Sequence, residues 1–352
     1  MTGPTGPVDW EPTVSMKLSA LRKTAALRTT AVALTTALSV AVLAGGAASA
    51  EPEKPSSVSS IVKDGRTWHL KVYSASMKRD ITVDVQRPAD ESTPAPNLYM
   101  LNGLDAGEGT ASWAAQTDAL GFLAEKHVNV VQPIGGRGSY YADWQREDPK
   151  LGLNKWNTFF TQELPPLLDK TLNSTGLNSL AGLSTSGTSV LQLAEAKPGL
   201  FKSVAAYSGC AQIADPMGKQ FVKFSVETWS GGNTANMYGP DNDPAWVEND
   251  PVINAEKLRG TNLYISSGSG MPVMEDVRYY TEGNGPMGVV NLGLGVAIEA
   301  ATNECTKNLK NKLDSLNIPA TYKFNPVGTH YWPYWEEALH ESWPMLAEGM
   351  GI

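Results

Sequence analysis

One stretch, Leu177–Gly187 (LNSLAGLSTSG), limits the folds open to this chain more than any other. Its first seven residues are mostly apolar or small and suit a short buried strand. Gly182-Leu183-Ser184-Thr185-Ser186-Gly187 then forms a turn, and Thr188–Lys197 resumes with Val190, Leu191, Leu193 and Ala194 at helical spacing. Strand, tight turn with a serine at its tip, then helix is the geometry that exposes a nucleophilic hydroxyl. Small neighbours are needed because the turn is strained and larger side chains would crowd the hydroxyl. The amides at the helix start face any charge that develops there. The string departs from the usual G-x-S-x-G, because the fifth position is Ser186.

The rest of the chain fits the same architecture. Trp68–Ser74 and Arg79–Gln86 alternate as half-buried strands do, whereas Asn97–Leu101, Val128–Pro133, Ser203–Ser208 and Asn262–Ser267 are apolar or small along most of their length. Ala320–Phe324 reads as the last strand. Helical spacing is expected over Trp113–Lys126, over Trp156–Lys170 with a break at Pro165-Pro166, and from about Glu336 to the end. Ala211–Lys257 and Gly268–Asn303 carry no clear pattern, the second being rich in glycine. Strands alternating with helices predict an α/β fold, a mainly parallel central sheet with helices on both faces, in one domain spanning 61–352.

Composition narrows the partners. The chain has 352 residues, 41% of them hydrophobic, enough for a sizeable core, and a net charge of −8. That balance argues against nucleic acid and against a polybasic membrane patch. Lys17, Arg22, Lys23 and Arg28 precede an uncharged apolar run, Ala31–Ala44, and the small-residue string Ala48-Ser49-Ala50. This is the layout of a secretory signal cut before Glu51, and the run is short for a membrane span. Met16 is an alternative start. Residues 1–50 carry four basic and two acidic side chains, so the remainder stands at about −10. Residues 51–60 read as a polar linker. The expected protein is secreted, in the cell envelope or beyond, with no stable span after cleavage.

A serine nucleophile needs a base, and the base an orienting acid. In α/β-hydrolases the chain order is Ser, acid, His. His330 lies between the last strand and the last helix; His340 falls inside that helix, and His69 and His127 precede the serine. Glu275, Asp276, Glu282, Glu299 and Glu304 are the candidate acids, and Glu299 has the least polar surroundings, VVNLGLGVAIEAATN. A carboxylate there must be paired and hydrogen-bonded. The oxyanion needs two backbone N–H donors, expected from Thr185 and, after the Asn97–Leu101 strand, from Leu104. The loop Gly135–Trp144 has neither a P-loop lysine nor dinucleotide spacing, so no cofactor is expected. Two cysteines and four scattered histidines suggest no metal site. In an exported protein the pair Cys210 and Cys305 is expected to form a disulfide.

The segments YMLNGLDA (Tyr99–Ala106), PIGGRGSYYADW (Pro133–Trp144), KWNTFFTQELP (Lys155–Pro165), GLSTSG (Gly182–Gly187), DPAWVENDP (Asp243–Pro251) and GTHYWPYW (Gly328–Trp335) resemble, in order, those of the antigen 85 family of mycolyltransferases. The resemblance implies an α/β-hydrolase fold with Ser184 as nucleophile, Glu299 as acid, His330 as base, and Leu104 and Thr185 as oxyanion donors. It implies acyl transfer from trehalose monomycolate to trehalose or another cell-wall hydroxyl, so trehalose mycolates and cell-wall glycans are the expected partners. Asn102, Asp105, Gln116 and Trp332 are the candidate substrate-binding residues. One departure stands out: where the family has Asp-Gly-Leu-Arg touching trehalose, this chain has Asn102-Gly103-Leu104-Asp105. Gly285–Ala301 reads either as the lining of an alkyl groove or as ordinary core. The competing functions are a secreted carboxylesterase with the same triad and a fibronectin-type surface adhesin.

Overall fold

The computed structural model describes residues 54–352, so the expected signal segment lies outside the described residues. Nine strands form one sheet: β1 (Ser57–Asp64), β2 (Thr67–Ser74), β3 (Arg79–Gln86), β4 (Ala95–Leu101), β5 (Asn129–Ile134), β6 (Ser174–Leu183), β7 (Phe201–Tyr207), β8 (Asn262–Ser267) and β9 (Thr321–Phe324). Their order is β1-β2-β3-β5-β4-β6-β7-β8-β9. The pairings among β1, β2, β3 and β5 are antiparallel, and those from β5 through β9 are parallel. Strand β1 begins inside the segment expected to be a linker: Ser57–Ser60 is polar, as suits an exposed edge strand paired on one side only.

The central strands are apolar along their length because both faces are covered. In β4, Tyr99 and Leu101 enter one core with Val190, Leu191 and Leu193 of helix α1 (Thr185–Ala196). Leu98 and Met100, pointing the other way, enter a second core with Trp113, Trp335 and Leu339. Strands β6 and β7 alternate likewise, with Leu180, Val204 and Ala206 on the first face and Ala181, Ala205 and Tyr207 on the second.

Three segments differ from the sequence expectation. Trp113–Lys126 forms two short helices, Trp113–Gln116 and Ala119–Leu123, rather than one. The glycine-rich stretch is helical: α2 (Met274–Thr281) and the 31-residue α3 (Gly285–Ser315) lie side by side. The glycines serve that packing. A Cβ on Gly288 would stand 2.2 Å from the Tyr280 carbonyl oxygen, and one on Gly295 would stand 2.6 Å from the Tyr280 hydroxyl. The last helix, α4 (Trp332–Met350), starts earlier than expected, with Pro333 in its first turn, where a missing N–H costs nothing. The irregular region after β7 builds a third small core, where Ile213, Val226, Met237 and Trp246 pack on Tyr140 and Trp144.

Helix α1 also buries a carboxyl group. Glu195 is 6% exposed, and its Oε1 has no partner among the described residues. Burial pushes its pKa from 4.5 up to about 9, with Lys257 pulling it back and Asp250 pushing it further. The folded chain therefore keeps a proton that the unfolded chain loses above pH 4.5, and stability falls as pH rises from there towards 9. Glu195→Gln should flatten that slope, so that the drop in melting temperature between pH 5 and pH 8 is smaller than in the wild type. Equal slopes would mean that Glu195 is ionised in the fold.

Candidate functional site

The site is assembled at the carboxyl ends of the parallel strands. Ser184 follows β6 directly, with φ +54° and ψ −124°, a conformation rare for a residue with a side chain. Its neighbours show why the turn tolerates little bulk. A Cβ on Gly182 would lie 2.7 Å from the Ser186 carbonyl oxygen, and one on Gly187 would lie 2.8 Å from that of Tyr207. Ser186, the departure from the usual string, is fully buried. Its hydroxyl accepts the Leu183 amide at 2.9 Å and reaches the Leu101 carbonyl at 3.1 Å, joining the ends of β6 and β4 beneath the turn. The sequence pattern held no signal for that role.

His330 Nε2 lies 2.8 Å from Ser184 Oγ, and His330 Nδ1 lies 2.8 Å from Glu299 Oε2. The histidine side chain is 12% exposed and the glutamate side chain 1%. Helix α3 places both: Glu299 projects from it, and its Gly295 carbonyl accepts the His330 amide at 3.2 Å. Tyr280 of α2 donates its hydroxyl to the His330 carbonyl at 2.6 Å, and the Trp335 ring meets the imidazole edge-on at 4.8 Å. Glu299 Oε1 accepts the Ser208 hydroxyl at 2.7 Å and the Gly268 amide at 2.6 Å. Ser208 in turn accepts the Trp335 indole N–H at 2.9 Å. So held, the carboxylate orients the imidazole, with Nδ1 turned to Glu299 and Nε2 turned to Ser184.

The other candidate acids lie elsewhere. Glu275 and Glu282 are exposed, and Glu304 pairs with Lys307 at 3.7 Å. Asp276 is buried, but it accepts the Val273 amide and the Tyr334 hydroxyl rather than meeting the histidine.

Thr185 is the first residue of α1, so its amide has no acceptor within the helix. Leu104 follows Gly103, where a Cβ would stand 3.3 Å from Ser184 Cβ; the turn after β4 therefore runs alongside the serine. Gly138 donates to the Leu104 carbonyl at 3.0 Å and fixes that turn against the loop after β5.

The candidate substrate residues divide. Trp332 is 8% exposed and packs edge-on against Trp113 at 5.8 Å and Trp335 at 5.1 Å, so it belongs to the core and offers no open face to a sugar. Asn102 is 1% exposed and accepts the Trp113 amide at 2.9 Å, which braces the turn. Gln116 is half-buried and donates to the Thr110 carbonyl at 3.0 Å. Asp105 sits 3.4 Å from Arg137, which comes from the loop after β5. Burial pushes the Asp105 carboxyl above its usual range, Arg137 draws it down, and Glu108 pushes it up.

Cys210 and Cys305 are joined in a disulfide with a Cα–Cα distance of 5.0 Å across 95 residues. The bridge ties α3, six residues beyond Glu299, to the segment that carries Ser208.

With this geometry in view, the comparisons with known proteins can be read. Residues 74–346 match the Esterase family, described as "Putative esterase". A diacylglycerol acyltransferase/mycolyltransferase Ag85A of Mycobacterium leprae is 34% identical over 296 residues, covering 80% of this chain and 83% of the relative. The chain belongs to the antigen 85 mycolyltransferase family. An Ag85B of the same organism is 32% identical over 323 residues, covering 88% of this chain and 89% of the relative. Among solved structures, Mycobacterium tuberculosis MPT51 (FbpC1) superposes with a TM-score of 0.68 at 22% identity, covering 82% of this chain and all of that one. An S-formylglutathione hydrolase from Agrobacterium tumefaciens gives 0.58 at 18% identity, covering 84% and 99%. These two likenesses bear on the fold, which is that of α/β-hydrolases. The chain is an enzyme of the acyltransferase class.

Two outcomes follow from the geometry. Glu299→Gln keeps the shape but loses the charge that stabilises an imidazolium, and should lower ester turnover by about 10²–10⁴-fold in a kinetic assay. The disulfide closes a long loop, worth roughly 4–5 kcal/mol in the chain-entropy model. Its reduction should lower activity before the circular-dichroism signal of the sheet changes, because α3 loosens first. Activity and fold lost together would contradict that order.

Proposed function

We propose that this chain is a secreted mycolyltransferase that takes the acyl group of trehalose monomycolate onto Ser184 and passes it to a second trehalose or another cell-wall hydroxyl. The observation that carries this reading is the unbroken relay Ser184–His330–Glu299 beneath a strained turn, in a chain of this family.

In the first half-reaction His330 Nε2 takes the Ser184 hydroxyl proton as Oγ attacks the ester carbonyl. The Leu104 and Thr185 amides hold the oxyanion, and Glu299 balances the imidazolium. Collapse expels the sugar oxygen, which receives that proton from His330, leaving an acyl-serine and free trehalose. The second half-reaction reverses these roles. An acceptor hydroxyl gives its proton to Nε2, attacks the acyl carbon and leaves as the new ester, while the proton returns to Ser184.

Transfer, as against hydrolysis, requires an acyl chain held away from water. Helix α3 supplies exposed apolar surface in its first turns. Met287, Val289 and Val290 are 49%, 63% and 54% exposed, on the helix that carries Glu299. An exposed apolar face of this kind suits contact with lipid. Export rests on the sequence of residues 16–50. Among the described residues, no helix is long and apolar enough to cross a membrane.

The test is a product assay with labelled trehalose monomycolate. With millimolar trehalose present, trehalose dimycolate should form faster than free mycolic acid is released. Faster release of free acid would favour the carboxylesterase. Ser184→Ala should fold normally and lose turnover by on the order of 10⁴-fold or more.

A further inference from the structure

The His330 ring has to hold its place twice, the second time with one tether fewer. While Ser184 keeps its hydroxyl, Nε2 lies 2.8 Å from Oγ and Nδ1 lies 2.8 Å from Glu299. Once Oγ is esterified it has no proton to give, and the imidazole keeps only the glutamate. Breakdown of the acyl-serine then depends on what holds the His330 backbone.

That backbone lies outside any strand or helix, in the turn between β9 and α4. Upstream, the turn is pinned to the end of β8 and the residues after it. Asn325 donates to the Ser267 carbonyl at 3.0 Å, and Gly328 donates to the Met271 carbonyl at 2.8 Å. At His330 both backbone groups go to the α2–α3 pair. Its amide donates to the Gly295 carbonyl at 3.2 Å, and its carbonyl accepts the Tyr280 hydroxyl at 2.6 Å.

Tyr280 is seated for this bond. Its own carbonyl accepts the Asn284 side chain at 3.0 Å. Gly295 leaves room for its hydroxyl: a Cβ there would stand 2.6 Å from that oxygen and 3.0 Å from the ring carbon that bears it. Gly295 lies inside α3, where alanine is the better helix former, so the glycine answers to the tyrosine and not to the helix. A carbonyl can only accept, so the phenol donates, and burial raises its pKa and keeps that proton in place. The neighbouring Tyr279 ring lies 4.2 Å from that of Tyr331, and its hydroxyl makes no hydrogen bond among the described residues.

We propose that Tyr280 is a positioning residue whose hydroxyl holds the His330 backbone, so that Nε2 stays in place to take the acceptor's proton after Ser184 is acylated. Gly295 is glycine to make room for it. The inference rests on the relay of Ser184, His330 and Glu299, and not on which sugar or lipid is the substrate.

The experiment gives the protein p-nitrophenyl butyrate and follows formation and breakdown of the acyl-serine separately, by rapid quenching and mass spectrometry. Tyr280→Phe should slow breakdown about 10-fold, the scale of one hydrogen bond, and formation by less than about three-fold. Gly295→Ala should do the same, because its methyl group displaces the hydroxyl. The double variant should be no slower than either single one, since both remove the same contact. Tyr279→Phe removes a hydroxyl with no such bond and should change neither step. If Gly295→Ala fails to fold, Tyr280→Phe alone decides. Equal slowing of both steps, no slowing, or losses that multiply in the double variant overturn the positioning role. An acyl adduct formed by Ser184→Ala protein would instead overturn the relay, and the positioning role with it.

Discussion

The structure depends on satisfying one buried carboxyl group. Glu299 is fully buried on a long helix, where an unpartnered polar group would be costly. Three groups from three places prevent that: Ser208 after β7, the Gly268 amide after β8, and His330 after β9. The register of the parallel strands brings those three ends together. The pairings of Tyr207 with Ser266 and of Ser267 with Phe324 set the height of each loop above the sheet. The disulfide then ties α3 covalently to the same strand ends, six residues beyond the acid. Trp335 closes the arrangement by bonding Ser208 and facing the imidazole, which also explains why the last helix packs so near the relay.

Much of this was legible in the sequence because buried parallel strands have a plain signature. The apolar runs at Asn97–Leu101 and Asn262–Ser267 occur as strands in the structure, and the serine between β6 and α1 adopts the positive φ that its small neighbours suggested. The order of Ser184, Glu299 and His330 along the chain corresponds to the relay that the fold assembles.

What was not legible depended on long-range packing. The glycine-rich stretch of α3 shows no clear pattern because helix propensity penalises glycine, and nothing in the local sequence reveals that Tyr280 needs the space. Trp332 reads equally as a sugar platform and as structural packing, because an aromatic cluster near a catalytic histidine has the same pattern whether it faces solvent or the core; its contacts with Trp113 and Trp335 place it in the core. Asn102 accepts the Trp113 amide, a contact that its local sequence does not reveal. Arg137 was missed as a partner for Asp105 because the two come from different loops and meet only through the pairing of β4 with β5.

The central claim is that Ser184 carries the acyl group between donor and acceptor. Its most direct measurement is mass spectrometry of the protein quenched during turnover of trehalose monomycolate and then digested. The account predicts one acyl adduct, on the peptide containing Ser184, which disappears with matching gain of trehalose dimycolate when free trehalose is added. Product formation with no adduct, or with the acyl group on any other residue, would contradict it.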